Sequence, residues 1–517
     1  MKHLKKIMSV CVAMIMALAM CVTAYATGTG TTPAGSYKIT ITNEVEGHVY
    51  EAYQIFSGNL SKKVLSDIVW GSGVNPKGQT TLGTAETKAA TLKNSDDAAS
   101  FAKEVAKYLQ NPVESTYNST AKKYEITGLS AGYYLVKDKD NTLSNKDDFY
   151  TAYIMEVVGD VTATPKGDKP TLNKQIKHNE TDNWGVVGDN QIGDTVYFRT
   201  ITTVPNVEGY TSYSYVISDT MSNGLTSNVK DNDSVRILIN DSTELESNYY
   251  NVSANGNLFT VTVDIIKAIK DGKISAGQSL YTYYDAILNK DAIIYNEGKQ
   301  QNTAHLEYSN NPNNTADKGK TPDKTVYDWT FKMGVNKVDG KDHGLTGAKF
   351  VLSKNGSLST DKMGLNSEGI PTNTDNLIAL IDNKDGTYTV APSGYTDITY
   401  VISAGNVTIK GLDDSIEYYL YETKAPEGYN ILKTAVKFNI TVDYANDGSS
   451  VAEGNPTVTV NNGEPSTDLS TNVVNNEGSS LPSTGGIGTT IFYVVGVVLM
   501  LGAGVLLITK RRMSAKH

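Results

Sequence analysis

The sequence predicts a mainly β protein: tandem immunoglobulin-like β-sandwich domains, a helix in the first of them, and an apolar segment at each end. Three observations predict this. Short runs such as Tyr37–Thr42, Thr195–Thr202, Leu258–Val263 and Thr387–Val390 alternate apolar and polar residues, the period of a half-buried strand. The dipeptides Asn255-Gly256, Asp339-Gly340, Asn355-Gly356 and Asp385-Gly386 divide such runs and favour the positive φ of tight hairpins. Tyrosine outnumbers the other aromatics, 32 Tyr to 9 Phe and 3 Trp, and suits a pleated surface with one wet face.

The N-terminus reads as a signal peptide over 1–26. Lys2, Lys5 and Lys6 precede an apolar run from Ile7 to Val22, and Ala24-Tyr25-Ala26 supplies small residues for cleavage before Thr27. Both cysteines, Cys11 and Cys21, fall inside it, so the exported part has neither thiol nor disulfide. The clearest helix is Asp96 to Gln110: Ser95 is its expected cap, Phe101, Val105, Tyr108 and Leu109 share one face, and Asn111-Pro112 stops it. A second helical turn is expected near Asp264–Lys270. Breaks at Thr164–Pro170 and Asn310–Lys324 divide the chain into an N-terminal domain (27–165), a middle domain (166–325) and a third domain (326–478). Residues 479–517 form a separate tail. Ile491 to Ile508 contains no charge and is long enough to cross a bilayer, and the basic tail 510–517 would hold the C-terminus inside.

Charge and motifs narrow the function. The net charge of −10 leaves no basic surplus for nucleic acid. Seven of the 46 basic residues and none of the 56 acidic ones lie in the leader and the tail, so the segment between them is more acidic still. HExxH, Walker and GxGxxG motifs are absent from the sequence. The Asp138–Asp140 and Asp231–Asp233 clusters lack a complete oxygen-ligand loop and read as turns, so no metal or cofactor is expected.

Leu481-Pro482-Ser483-Thr484-Gly485, the apolar span and the basic tail together resemble the sorting signal of Gram-positive sortase substrates. The resemblance implies cleavage between Thr484 and Gly485 and transfer of the Thr484 carbonyl to an amine.

The third domain contains Val335-Asn336-Lys337-Val338-Asp339-Gly340, Tyr418-Tyr419-Leu420-Tyr421-Glu422-Thr423-Lys424-Ala425-Pro426-Glu427-Gly428-Tyr429 and Val473-Val474-Asn475. It resembles the Cna B-type domain of sortase-assembled pilins, and the Glu422 segment resembles their E-box. The resemblance implies an amide bond between Lys337 and Asn475 assisted by Glu422. Chemistry requires these residue types. A lysine near its usual pKa of about 10.4 is protonated and cannot attack. Burial makes the lysine easier and the glutamic acid harder to deprotonate. Neutral Lys337 would attack the Asn475 carboxamide while protonated Glu422 polarises its carbonyl, and ammonia would leave. Asn476 is a neighbouring alternative, but alternation turns it to the opposite face.

The segments around Lys174, Asp219 (Ile217-Ser218-Asp219-Thr220) and Asn302 (Asn302-Thr303-Ala304-His305) resemble the middle domain of fimbrial shaft subunits. The implied bond joins Lys174 to Asn302 with Asp219 as the acid. Lys177, at an odd spacing from Lys174, would face the other way. The intersubunit lysine of such pilins corresponds to Lys166, in Thr164-Pro165-Lys166-Gly167, with Lys169 as the alternative. Here the stretch departs from the family's pattern, lacking its Tyr and Asn. The first domain resembles the N-terminal domain of the same proteins through Gly47–Phe56 and Gly128–Val136, and shows no comparable Lys/Asn/acid set.

The resemblance thus implies the shaft (backbone) subunit of a covalent pilus at the cell surface, exported, transiently membrane-anchored, and an enzyme only on itself. A wall-anchored accessory pilin or matrix-binding adhesin is the alternative. Implied partners are a pilus-type, class C-like sortase, other copies of the chain, accessory pilins, peptidoglycan through the pilus base, and host surface ligands. Tension would run from Lys166 to Lys174, across to Asn302, on to Lys337, across to Asn475 and out at Thr484, each bond tying a first strand to a last.

Overall fold

The computed structural model describes residues 37–478 and 487–514, except 45, 94, 141–151, 164–168, 179–180, 182, 208–209, 313 and 315. The leader, Lys166 and the Leu481, Pro482, Thr484 and Gly485 positions lie outside the described residues.

The strands assemble into three successive two-sheet units. In the first unit, one sheet orders Thr116–Asn118, Lys123–Leu129, Tyr37–Ile41 and Val161–Ala163; the other orders Val64–Trp70, Tyr50–Ser61, Gly132–Asp138 and Ala152–Val157. Between them lie Ile39, Ile41, Tyr50, Tyr124, Ile126 and Val136, so the aromatic runs of this unit are core. The helix expected at 96–110 runs Ser95–Val105 and tightens into a 3-10 turn, Ala106–Tyr108. It starts at Ser95 itself, which therefore does not precede it as a cap. Two short helices, Pro76–Leu82 and Ala85–Thr91, were not legible from periodicity. Each is capped by a side chain, Asn75 accepting from Gly78 N and Thr84 from Thr87 N.

In the middle unit, the strand Leu172–Lys177 sits between Trp184–Gly185 and Thr195–Thr203, which continues to Ser279–Leu288 and Arg236–Ile239. The facing sheet orders Val187–Asp189, Lys324–Trp329, Gln300–Ser309, Tyr215–Met221, Leu258–Val263 and Tyr250–Asn255. Two corrections follow. Lys324–Trp329 pairs with Gln300–Ala304 and with Val187–Asp189, so the third unit begins after Trp329 and not at 326. Asn302 accordingly lies on an inner strand, with Lys318–Lys320 and Lys324–Trp329 still to follow, and not on the last strand of its unit. The turn at Asp264 is a helix, Ile265–Lys270, capped by the Asp264 side chain.

The third unit packs Leu380–Asp382, Thr387–Val390, Asn406–Leu412, Phe331–Asp339 and Ser470–Asn475 against Ile402–Ala404, Ala348–Ser353, Glu417–Lys424, Val436–Thr441 and Thr457–Val460. Its first and last strands are parallel neighbours, Lys337 opposite Val473 and Asp339 opposite Asn475. Gly256 and Gly386 take the positive φ expected of them, +60° and +84°; at the Asp339-Gly340 hairpin that conformation falls on Asp342 instead.

One apolar core runs through the middle and third units without a break. At their seam Ile192 N donates to Gly411 O at 3.1 Å, and the Ile192 side chain sits where a Cβ on Gly411 would fall, at 2.5 Å. Gly411 also has φ +84°, so no other residue fits there. Tyr418 Oη donates to Gln191 Oε1 at 3.1 Å, and Trp329 Nε1 donates to Gly448 O at 3.1 Å. The chain closes on the helix Ile487–Ser514, whose most apolar 18-residue stretch has a mean hydropathy of 2.7, long and apolar enough to span a bilayer.

Candidate functional site

Inward-facing positions of facing sheets bring the sequence-predicted residues together twice. In the middle unit, Lys174 alternates with the buried Leu172 and Ile176 and so points into the core, only 1 % exposed. Asp219 and Asn302 reach it from the opposite sheet. Their strands are adjacent and antiparallel, with Asp219 opposite Ala304 and Met221 opposite Asn302, so the two side chains are diagonal neighbours on one face. Lys174 Nζ donates to Asp219 Oδ2 at 2.5 Å and to Tyr284 Oη, and Tyr284 Oη donates to the same Oδ2 at 2.5 Å. The ammonium also lies 5.6 Å from the Phe198 ring centroid. Lys177 is half-buried on the other face, over Tyr197.

Burial sets the electrostatics. Loss of water pushes the Lys174 amine down from its ordinary value, against the pull of Asp219. The same burial pushes Asp219 up, against Lys174 and the hydrogen bond from Tyr284. Both shifts favour moving the proton from nitrogen to carboxyl.

In the third unit, Lys337 is fully buried and donates from Nζ to Val473 O at 2.7 Å. Asn475 is two residues further along that parallel neighbour, on the same inward face, while Asn476 is exposed. Glu422 comes from the opposite sheet. Asn475 Nδ2 donates to Glu422 Oε2 at 2.9 Å and to Asn430 O at 2.7 Å; Leu432 N also donates to Oε2, at 2.7 Å. This corrects one expectation: Glu422 faces the carboxamide nitrogen, not its carbonyl oxygen. The backbone carbonyl of Asn430 can only accept, so it selects the NH2 end. Burial lowers the Lys337 pKa and raises that of Glu422, each shift opposed by the other's charge.

These two sites are dry yet incompletely paired. Asp219 Oδ1, both polar atoms of Asn302, Glu422 Oε1 and Asn475 Oδ1 are buried without a hydrogen-bond partner. Such atoms are rare in folded proteins because each costs about 1–3 kcal/mol.

Elsewhere the predicted alternatives resolve differently. Asp231 accepts from Asp233 N and Ser234 N, capping a 3-10 turn. Asp138 is buried 2.7 Å from His48 Nδ1, while Asp140 faces Lys137 at 2.9 Å. Lys137 also approaches Glu51, at 4.0 Å. Sequence reasoning missed Tyr284, although the inward alternation of Leu280, Thr282, Tyr284, Ala286 and Leu288 marks it. It also missed the acidic seam between the last two units, where carboxylate oxygens of Asp189, Asp413 and Asp414 lie within 4.8 Å of one another. Nothing local marks that seam, since the residues come from separate units.

Asp328 is another buried acid of the middle unit, 1 % exposed and held by Asn190 Nδ2 at 2.7 Å. Burial pushes its carboxyl up to about 7 from an ordinary 3.8. The folded chain therefore holds a proton that the unfolded chain releases, and this group stabilises the fold less as pH rises from about 4 to 7. Asp328→Asn is expected to flatten that slope, raising stability at pH 8 by up to about 4 kcal/mol and leaving it little changed at pH 4. Thermal denaturation across pH checks this.

Comparison with known proteins bears on this geometry. Residues 331–454 match the prealbumin-like fold domain family SpaA, and residues 192–312 match the Cna-B-like domain of Gram-positive pilin backbone subunit 2. Residues 473–514 match the LPXTG cell wall anchor motif. Two stretches of the chain are thus similar to domains of Gram-positive pilins, and a third to a wall-anchor motif. The C-terminal match coincides with the apolar helix Ile487–Ser514.

Among pilin relatives, the trypsin-resistant surface T6 protein of Streptococcus pyogenes serotype M6 is 27% identical over 344 residues, 57% of this chain and 60% of that protein. Fimbrial subunit type 1 of Actinomyces viscosus is 27% identical over 278 residues, 49% of this chain and 48% of that protein. The chain thus spans about half to three-fifths of those relatives. Among solved structures, the T6 backbone pilin of serotype M6 S. pyogenes aligns at 16% identity over 87% of this chain and 100% of that one, with a TM-score of 0.49. The major pilin SpaD of Corynebacterium diphtheriae aligns at 15% identity over 87% and 99%, with a TM-score of 0.43.

Proposed function

We propose that the chain is the shaft subunit of a covalent pilus, polymerised by a sortase and locked internally by two self-formed amide bonds, Lys174–Asn302 and Lys337–Asn475. The observation that carries this reading is the repetition of one arrangement. Two dry lysine–acid–asparagine sets sit in tandem sandwiches ahead of an LPXTG anchor.

In the third unit the chemistry follows from the contacts. The Lys337 proton passes to Glu422, leaving a neutral amine whose N–H is held by Val473 O. Nζ attacks Asn475 Cγ. The C–Nδ2 bond breaks as Glu422 returns that proton to Nδ2, which it already contacts, and ammonia departs with it; the second hydrogen shed by Nζ passes to Glu422, which ends protonated while Nζ keeps one hydrogen as the amide N–H. Neighbouring strands supply the proximity, so no external catalyst is needed. The unpaired carboxyl and carboxamide atoms support the reading, because expelling ammonia and joining the chains removes part of that mismatch. Asp219 fills the same role for Lys174 and Asn302.

Between subunits, Thr484 is joined to Lys166 of the next copy, with Lys169 as the alternative acceptor. Cells carrying the wild-type chain are expected to show an SDS-resistant ladder of high-mass polymers, and Lys166→Ala to collapse it to monomer. Persistence of the ladder in that variant and its loss in Lys169→Ala would move the linkage to Lys169. A wild type without any ladder would remove the shaft assignment.

A further inference from the structure

We infer that the Tyr284 hydroxyl is a catalytic group of the middle-unit bond, shuttling the Asp219 proton away from the Lys174 amine and towards Asn302. The inference rests on the Lys174–Asn302 bond proposed above and assigns a third participant to it.

A lysine and a carboxyl alone leave the reaction with a difficulty. Once Asp219 Oδ2 has taken a proton from Nζ at 2.5 Å, that new O–H points straight back at the nitrogen lone pair. A lone pair engaged in this way cannot attack Asn302. The third group in contact with both atoms is Tyr284 Oη, which touches Nζ and donates to Oδ2 at 2.5 Å. It is fully enclosed, its ring held 5.9 Å from Phe198 and 4.8 Å edge-on to Phe259, so the hydroxyl has no water to turn towards.

A hydroxyl offers one donor and two acceptor sites, and the sequence of steps uses all three. Before transfer, Nζ–H donates to Oη and Oη–H donates to Oδ2. After transfer, Oδ2–H donates to Oη, and Oη–H turns to Asn302, whose buried carboxamide lies beside it. The Nζ lone pair is then free. The N–C bond forms and the C–Nδ2 bond breaks. Of the three hydrogens on the Nζ ammonium, one leaves with ammonia by way of Asp219 and the tyrosine, one stays as the amide N–H, and one ends on Asp219, which finishes protonated while the tyrosine returns to its starting state.

The third unit has a different solution to the same difficulty. There Lys337 Nζ is held by the Val473 carbonyl, and Glu422 already contacts the departing nitrogen, so no hydroxyl is required. That contrast supplies the control. During cell-free synthesis of residues 27–484, time-sampled mass spectrometry of the two cross-linked peptides reads both bonds in one molecule. Tyr284→Phe keeps the ring and removes only the hydroxyl. It is expected to slow the Lys174–Asn302 bond about 100-fold while the Lys337–Asn475 bond forms at its normal rate. Equal rates in variant and wild type would overturn the inference. A fluorinated tyrosine at 284, nearly isosteric but a stronger acid, keeps the test open should the phenylalanine variant misfold. It is expected to change the rate and its pH profile for this bond alone; an unchanged profile would also overturn the inference. A wild-type chain that never links Lys174 to Asn302 would instead overturn the bond itself, and this role with it.

Discussion

Residues 27–484 are expected to weigh about 34 Da less than their composition, one ammonia for each of two completed bonds. Glu422→Ala is expected to restore about 17 Da of this, and Asp219→Ala the other half, because each acid serves its own site. The effect is close to all-or-none. Without Glu422 the Lys337 amine loses the partner that takes its proton, and Asn475 Nδ2 keeps only the Asn430 carbonyl. Intact mass spectrometry of the folded chain and both variants gives the answer directly. The full calculated mass in the wild type would leave three β-sandwich units in front of a wall anchor, with no covalent reinforcement.

The second large effect is mechanical. With both bonds closed, tension entering before Lys174 crosses to Asn302 and never reaches residues 175–301; at the other unit it crosses from Lys337 to Asn475 and skips 338–474. The segment between the bonds remains in series. It contains the hairpin in which Asn302 lies opposite Val326, so peeling Lys324–Trp329 away releases only what lies between them. That is about 24 residues, or roughly 80 Å at about 3.4 Å each. A single subunit pulled between positions 166 and 484 is therefore expected to lengthen by at most one such step. In Asp219→Ala the same pull is expected to add roughly 430 Å as the enclosed residues unravel. A wild-type trace with extensions of that larger size would exclude the bypass.

This hairpin shows what local pattern could and could not say. The resemblance to fimbrial subunits picked out Lys174, Asp219 and Asn302, and strand alternation marked Lys177 and Asn476 as outward positions. Pattern alone placed Asn302 at the end of its unit, because it cannot tell which strand lies inside a sheet. Pairing of Lys324–Trp329 with both Gln300–Ala304 and Val187–Asp189 decides that, and those partners lie far away in sequence. The short helices Pro76–Leu82 and Ala85–Thr91 escaped for a related reason: each is too brief to show a period, and packing on the sheet beside them stabilises both.

The sequence by itself determined the β class, the LPXTG tail and its apolar span, since alternation, hydropathy and short motifs are local properties of a chain. Tertiary structure alone decided which end of the Asn475 carboxamide meets Glu422, that Tyr284 bridges Lys174 and Asp219, and that the last two units share one core. Each of these depends on distance across a sandwich. Side chains that meet there come from strands 45 to 227 residues apart, and only packing brings them within reach of a hydrogen bond.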